Sequence, residues 1–194
     1  KQSFPNPHSA FPATPLNRMH SAADPAAFLR KFSQRSLKYN MAIRNIVKEG
    51  DPFLHKKCRP VERFDEKLAA LLDDMIETLK QAGGVGLAGP QVGILRRIFI
   101  MDLDDEIIEA INPEIIKQSG KIRDLEGCLS VPNKWGYVTR PKSVVLRAYD
   151  RNGVLYERKF SELGARCVCH ESGHLDGQLF TELVEEYVKP EREE

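Results

Sequence analysis

The residues best suited to chemistry lie in the stretch CVCHESGHLDG, where His170 and His174 stand four positions apart. Residues at that spacing lie one above the other on a single helix face, so the two imidazoles can bind one metal ion. Glu171 projects from the same turn at another angle, where it can reach a water molecule that the metal activates. This is the physical content of the HExxH signature, which helices rich in His and Glu also match by chance.

A tetrahedral catalytic site needs a third protein ligand, and the sequence offers two thiols for it. Cys167 precedes His170 by three residues and would make a purely helical site. Cys128, in DLEGCLSVP, follows a permissive glycine and would bring a ligand from a distant element. We favour Cys128, because a site built from one helix leaves the metal poorly enclosed.

A third candidate feature is the glycine-rich stretch GGVGLAGPQVG, from Gly83 to Gly93. It has no Lys-Ser/Thr ending and follows no predicted strand, so a phosphate-binding or dinucleotide-binding loop is disfavoured. Its small residues let the backbone come close to a ligand or metal. Gln91 within it can then donate a side-chain amide N–H to an oxyanion.

Helices are predicted on both sides of a strand-rich region. Apolar residues recur at helical spacing between Asp65, a predicted N-cap, and Gly83, a predicted stop. Ser161 is predicted to cap the helix that carries HESGH, with Gly177 after its end. The acidic stretch ELVEEYVKPEREE is predicted to form a C-terminal helix that Pro190 stops.

Between the helices, RRIFIMDL and SVVLRAYD predict strands, and Asn152-Gly153 predicts a two-residue hairpin turn. EIIEAINPEII predicts two extended segments interrupted at Asn112-Pro113. The order of elements predicts an α+β fold rather than an alternating α/β chain. We expect antiparallel or mixed sheets packed around a central metal-binding helix, with an amphipathic helix on the N-terminal side and a C-terminal helix.

Residues 1–40 differ from the rest, with six basic residues, one acidic residue (Asp24) and five prolines up to Pro25. An organelle transit sequence, sequence added upstream of the natural start and a native extension all fit this composition. Met41 opens a stretch typical of a natural protein start. We therefore expect a non-catalytic extension at 1–40 and one catalytic domain at 41–194.

Composition excludes several classes of protein. A net charge of +1 over 194 residues gives no indication of a nucleic-acid surface. No apolar run approaches the roughly 20 residues that span a bilayer. Without a clear secretory leader, four unevenly spaced cysteines favour reduced thiols over a disulfide framework: Cys58, Cys128, Cys167 and Cys169.

Together the three motifs resemble those of the peptide deformylase family. GVGLAGPQ is near the family's GxGLAAxQ, EGCLS matches at every letter, and HESGH is near HExDH. The motifs occur in the family's order with similar separations, and the resemblance covers residues 41–194. Three motifs together are far more specific than any one of them.

The resemblance implies that Cys128, His170 and His174 bind the metal, Fe²⁺ in the cell, with Zn²⁺, Ni²⁺ or Co²⁺ able to occupy the same site. It implies that Glu171 is the general base and acid. It further implies that the side-chain amide of Gln91 and the backbone N–H of Leu129 hold the formyl oxygen as it becomes an oxyanion.

Gly86 and Gly89 would belong to the substrate-facing loop. The reaction implied is removal of formate from N-formylmethionine at the start of a nascent polypeptide. We expect a monomer that works near the ribosomal exit tunnel in a bacterial cytoplasm, or in an organelle if residues 1–40 are a transit peptide.

Gly173 is the main departure, because the family usually has aspartate there. We expect a site that still binds metal but is held less rigidly, with Arg140 or Arg147 left without its carboxylate partner. Two alternatives follow: a deformylase-like metal protein with weakened or lost activity, or an HExxH peptidase. The exposed or buried state of Trp135 is also open, because it can line a methionine pocket or cover the core.

Overall fold

The structure is a computed structural model that describes residues 42–188, so the predicted boundary between residues 40 and 41 lies outside the described residues. It contains two α-helices, α1 (Glu66–Ala82) and α2 (Leu163–Leu175). The strands are β1 (Gly86–Ala88), β2 (Ile98–Leu103), β3 (Glu106–Ser119), β4 (Ile122–Cys128), β5 (Val131–Arg140), β6 (Ser143–Tyr149), β7 (Leu155–Ser161) and β8 (Glu186–Tyr187). Short 3₁₀ turns lie at Pro52–His55, Gly89–Val92 and Phe180–Glu182.

The strands form two antiparallel sheets. The five-stranded sheet has the order β1-β2-β3-β6-β7, and the three-stranded sheet has the order β4-β5-β8. Helix α2 packs against strands of both sheets. The predicted α+β fold around a central helix is therefore confirmed. Among residues 42–188, no helix is long and apolar enough to cross a membrane.

Helix α1 has the predicted ends. Asp65 Oδ1 accepts the backbone N–H groups of Lys67 at 3.1 Å and Leu68 at 3.0 Å. Gly83 ends the helix in the left-handed region, with φ of 64°. The apolar face of α1 packs on the five-stranded sheet, and its largest buried side chains are Leu68, Leu72, Met75 and Leu79. Burying each such side chain stabilises the folded state by roughly 1.5–3 kcal/mol.

Strand β3 corrects the prediction of two interrupted segments. The strand is continuous, and Asn112-Pro113 forms a bulge within it, with a register shift before Glu114. Asn112 has φ of 50°, and its side chain accepts the N–H of Val61 at 2.7 Å and donates to the Val61 carbonyl at 2.9 Å. These bonds to a distant segment stabilise the bulge without ending the strand.

The turn between β6 and β7 is longer than the predicted two-residue hairpin. It runs through Asp150–Val154, and only Gly153 of the predicted pair has a positive φ, of 77°. Asp150 Oδ1 accepts the N–H groups of Asn152 at 2.9 Å and Val154 at 2.8 Å. The hairpin itself is confirmed, but its turn is longer than two residues and is stabilised by the Asp150 side chain.

One predicted helix cap and one predicted helix are wrong. Ser161 is the last residue of β7, and Glu162, with φ of 52° and no side-chain cap, precedes α2. The acidic stretch does not form a helix up to Val188, because its Glu186–Tyr187 segment adds to the three-stranded sheet as β8. The remainder of that stretch lies outside the described residues. Gly177 follows α2 with φ of 79°, as predicted.

Candidate metal centre

Three side chains from two distant elements converge at one point. Cys128 ends β4, and His170 and His174 lie on α2. The Cys128 sulfur and one ring nitrogen from each histidine all lie within 4.8 Å of one another. Sulfur and imidazole donors at this separation suit one borderline-soft divalent metal ion. The structure therefore brings together the three residues predicted as ligands.

Glu126 fixes the orientation of His170. Its Oε2 lies 3.1 Å from His170 Nδ1, which leaves Nε2 for a metal. Burial raises the pKa of Glu126, but bonds from His170 and Arg140 outweigh this and lower it to about 2. Burial lowers the pKa of His170, and bonds with Cys128 and Glu126 outweigh it and raise the pKa to about 10. Neutral His170 can bind a metal through the ring nitrogen that does not bond to Glu126.

His174 is neutral and lies against the thiol. Its Nε2 is 3.3 Å from Cys128 Sγ, and its side chain is fully buried. Burial, followed by the charge on His170, lowers the pKa of His174 well below its ordinary value. Within the described part of the chain, His174 Nδ1 has no hydrogen-bond partner. A neutral imidazole is the form that binds a metal.

Glu171 is buried beside these ligands. Its side chain is 3% exposed, and its Oε2 has no hydrogen-bond partner among residues 42–188. Burial raises the pKa of the Glu171 carboxyl to about 7. A carboxyl that titrates near neutral pH can both accept and return a proton, so it suits general acid–base catalysis.

Gly86 leaves the space that Glu171 occupies. A Cβ atom at Gly86 would lie 2.6 Å from Cys167 Sγ and closer still to Glu171 Oε1. The stretch forms the short strand β1 rather than the predicted substrate-facing loop, and contact of Gly86 with substrate stays a prediction. Glycine is required here for close approach, not for an unusual φ.

Gly86→Ala is expected to lower kcat about 100-fold, because a methyl group would displace the Glu171 carboxylate from its position. Formate release by the purified variant would measure the effect, with thermal unfolding to show that the protein remains folded. Wild-type kcat in a folded Gly86→Ala protein would show that the close contact does not position Glu171.

Gln91 is held rigidly with its amide facing the thiol. Its Oε1 accepts the N–H of Ala88 at 2.8 Å, and its Nε2 donates to Ser130 Oγ at 3.2 Å and Cys128 Sγ at 3.5 Å. The side chain is 1% exposed, so it is not a surface amide. Leu129, the other predicted oxyanion donor, directly follows Cys128. Both predicted donors therefore adjoin the ligand group.

Gly89 and Trp135 are placed differently. A Cβ atom at Gly89 would lie 2.7 Å from the Ile94 carbonyl and 2.8 Å from the Arg96 carbonyl, so this glycine serves backbone packing, and its predicted contact with substrate stays a prediction. Trp135 is 54% exposed and lies on Gly127, the residue before Cys128. It therefore does not cover the core.

The remaining thiols do not join the ligand group. Cys167 is buried, and its Sγ lies 3.7 Å from the Val85 carbonyl. Burial raises the pKa values of the Cys58, Cys167 and Cys169 thiols. None of the four cysteines, all within the described residues, forms a disulfide. The helical alternative, with Cys167 as third ligand, is not supported by this geometry.

The expected orphaned arginine is not found. Arg140 donates to both carboxylate oxygens of Glu126, at 2.9 and 3.0 Å, and Arg147 pairs with Glu157 at 2.8 Å. That part of the prediction for Gly173 is wrong, because both arginines have other carboxylates. A Cβ atom at Gly173 would have room, with the Gln178 carbonyl oxygen at 3.5 Å.

Gly173→Asp is still expected to raise stability or turnover, because it restores the family's usual residue and removes a helix glycine. Gly173→Ala is the matched control, with a gain of about 0.5–1 kcal/mol in unfolding free energy from helix propensity alone. Urea unfolding and formate release measure both effects. No gain in either quantity for Gly173→Asp would contradict the expectation.

The buried ionic network around Glu126 was not predicted from the sequence. Arg140 on β5, Arg166 on α2 and His170 all contact this one carboxylate. The signal was present in the EGCLS motif, whose glutamate stands two residues before the ligand Cys128. A carboxylate that hydrogen-bonds a metal-binding histidine commonly fixes the orientation of its ring, so Glu126 could have been predicted to hold a histidine ligand.

Comparisons with known proteins indicate one family. The family model for polypeptide deformylase matches residues 43–189. The peptide deformylase of Caldicellulosiruptor bescii is 49% identical over 151 residues, which are 78% of this chain and 91% of that protein.

Solved structures share the fold as well. A peptide deformylase from Legionella pneumophila has 41% identity and a TM-score of 0.73, over 74% of this chain and 87% of that one. A peptide deformylase from Acinetobacter baumannii, with bound Met-Ala-Ser, has 32% identity and a TM-score of 0.72, over 74% of this chain and 99% of that one. The converging thiol and imidazoles, the buried glutamate and these matches lead to one conclusion: the chain belongs to the peptide deformylase family of metal-dependent hydrolases.

Proposed function

We propose that Cys128, His170 and His174 hold a divalent metal with which this chain removes formate from N-formylmethionine at the start of new polypeptides. The observation that carries the proposal is the convergence of the three donor atoms within 4.8 Å. A thiolate with two imidazoles accepts Fe²⁺, Zn²⁺, Ni²⁺ or Co²⁺. We propose Fe²⁺ as the metal in the cell, on the family resemblance.

When bound, such a metal polarises the formyl carbonyl and activates a water molecule. Glu171 takes the proton of the attacking water and delivers it to the nitrogen of the departing amine. The water oxygen bonds to the formyl carbon, the C–N bond breaks, and formate leaves behind a free methionine amine. Burial of the Glu171 carboxyl, which raises its pKa, supports its role in accepting and returning a proton.

Gln91 and Leu129 are proposed to hold the formyl oxygen as negative charge develops on it. Bonds to Ala88 and Ser130 hold the Gln91 amide in place, and the N–H that contacts Cys128 Sγ at 3.5 Å is the one proposed to turn to the formyl oxygen. The backbone N–H of Leu129 is proposed as the second donor. Fixed donors of this kind favour the transition state over the bound substrate.

The proposed substrate class is formylmethionyl peptides. The Acinetobacter baumannii relative binds Met-Ala-Ser, which is what deformylation of formyl-Met-Ala-Ser would leave. Formate release from formyl-Met-Ala-Ser under anaerobic conditions tests the proposal, with an N-acetylated peptide of the same sequence as control. Release from the formylated peptide alone is expected.

The place of action is proposed from the relatives. The matched proteins named above come from bacteria, which supports a cytoplasmic place of action. We further propose that the enzyme acts as a monomer on chains leaving the ribosome. An organelle remains the alternative if residues 1–40 are a transit peptide. N-terminal sequencing of protein from the source cell would decide, because a chain that starts at Met41 or Ala42 excludes a role for the extension.

A weakened deformylase is the second candidate, and Gly173 in place of aspartate is the observation that favours it. Metal binding without formate release would support that candidate. A peptidase that cuts internal peptide bonds is not favoured, because this chain matches the deformylase family model and has a thiol among its three converging donors.

A further inference from the structure

The proposed metal ligands depend on the placement of one helix against one sheet. Cys128 ends β4 in the three-stranded sheet, whereas His170 and His174 lie on α2. The separation of sulfur and imidazoles is therefore set by how firmly α2 is fixed to that sheet. A contact that joins these two elements acts on the metal site even without touching the metal.

Arg166 makes such a contact. It lies one helical turn before His170, and its Nη1 donates to Glu126 Oε1 at 2.7 Å and to the Val138 carbonyl at 2.9 Å. Its Nη2 donates to the Ile122 carbonyl at 3.0 Å. The side chain is only 6% exposed, so water does not compete for these bonds. One side chain of α2 thus bonds to both β4 and β5.

Arg140 has a different place in the same network. It donates two hydrogen bonds to Glu126, but Arg140 lies on β5 and Glu126 on β4, so those bonds stay within one sheet. The bond between Glu126 and His170 does cross to the helix, but it runs through a proposed ligand. Arg166 joins helix and sheet through a residue that is not itself a ligand.

We propose that Arg166 is a positioning residue of the metal centre, which fixes α2 against the three-stranded sheet so that Cys128 lies within reach of both histidines before a metal arrives. The inference rests on the proposed ligand set. Arginine suits the role because its planar fork supplies several donors in fixed directions. Lysine, with one flexible ammonium group, cannot reproduce the three bonds in the same geometry.

The test compares metal binding by Arg166→Met and Arg166→Lys with the wild type, using Co²⁺ as the probe. Arg166→Met keeps an extended apolar side chain but removes all three bonds. We expect a 10–100-fold rise in the Co²⁺ dissociation constant, about the loss caused by replacing residues that hold metal ligands in place. Arg166→Lys is expected to lie between. The thiolate-to-cobalt absorption band should weaken or shift in both variants. Arg147→Met, at an exposed arginine of β6, is the matched control and should bind Co²⁺ like the wild type.

A merely structural role for Arg166 gives a different result. A folded Arg166→Met protein with lower thermal stability but wild-type Co²⁺ affinity and spectrum would overturn the proposal. If that variant does not accumulate as folded protein, wild-type affinity and spectrum in Arg166→Lys would overturn it equally. Failure of the proposed metal centre is distinguishable, because then the wild type itself would bind no Co²⁺.

Discussion

Replacing Glu171 by glutamine is expected to lower kcat for formate release about 10²–10⁴-fold, the range typical for loss of a general acid–base group. Glutamine fills the same space but cannot accept the proton of the attacking water. The protein should keep its metal, because Glu171 is not among the three converging donors. Formate release under anaerobic conditions, with metal content determined on the same sample, measures both quantities.

The matched control is Glu106→Gln, which also removes one carboxylate charge. Glu106 is half-exposed on β3, where it pairs with Arg158, away from the ligand group. The kcat of the Glu106→Gln protein should equal that of the wild type. If Glu171→Gln also kept wild-type kcat, another group would have to carry the proton, and the assignment of Glu171 would be wrong.

Glu171→Gln is also expected to stabilise the metal-free protein at alkaline pH. Burial raises the pKa of Glu171 from its ordinary value of 4.5 to about 7. Below pH 4.5 the carboxyl is protonated in both folded and unfolded states and has no effect. Between pH 4.5 and 7 the carboxyl ionises in the unfolded state but not in the folded state, so the unfolding free energy falls progressively. Above pH 7 this loss of unfolding free energy stays constant at about 3 kcal/mol.

Glu171→Gln should therefore raise the unfolding free energy at pH 8 but not at pH 4. Urea unfolding of the metal-free wild type and variant at the two pH values measures this difference. Equal stability of the two proteins at pH 8 would show that the buried carboxylate carries no ionisation penalty. A gain in stability with a loss of activity is the pattern expected at an active site.

Cys128→Ala is expected to weaken metal binding by more than about 100-fold, beyond the 10–100-fold typical of outer-shell changes, and to abolish formate release. The variant loses a ligand and leaves two imidazoles, which do not complete a catalytic site. Metal content after gel filtration measures the loss, and the thiolate-to-cobalt absorption band should disappear in the Co²⁺ form.

Cys169→Ala is the matched control, because it removes a thiol adjacent to His170 in sequence that lies outside the ligand group. It should retain metal and activity. Cys167→Ala decides between the two thiols that the sequence offers. If Cys128→Ala retained metal and Cys167→Ala lost it, the third ligand would be Cys167 on α2 rather than Cys128.

The parts of the fold that follow from local signals could be predicted from sequence. The ends of α1 depend on Asp65 and Gly83, which act within a few residues of themselves. The bulge at Asn112 depends on Val61, 51 residues away, and β8 exists because Glu186–Tyr187 pairs with β5. Partners at such separations have no local pattern in a single sequence.

The site divides in the same way. The spacing of His170 and His174 predicts a shared helix face, and the motif resemblance adds Cys128 from a distant strand. The partners of Glu126 could not be predicted from spacing, because Arg166 and His170 lie 40 and 44 residues away. For the same reason Arg140 was paired with the wrong position.

Removal of the formyl group is proposed to require one metal, held by Cys128, His170 and His174. Formate release from formyl-Met-Ala-Ser should be measured on anaerobically purified protein as bound Fe²⁺ or Ni²⁺ is increased from zero to one equivalent. We expect a rate proportional to bound metal, with no release by the metal-free protein. Equal release by the metal-free protein, or no release at one equivalent, would contradict it.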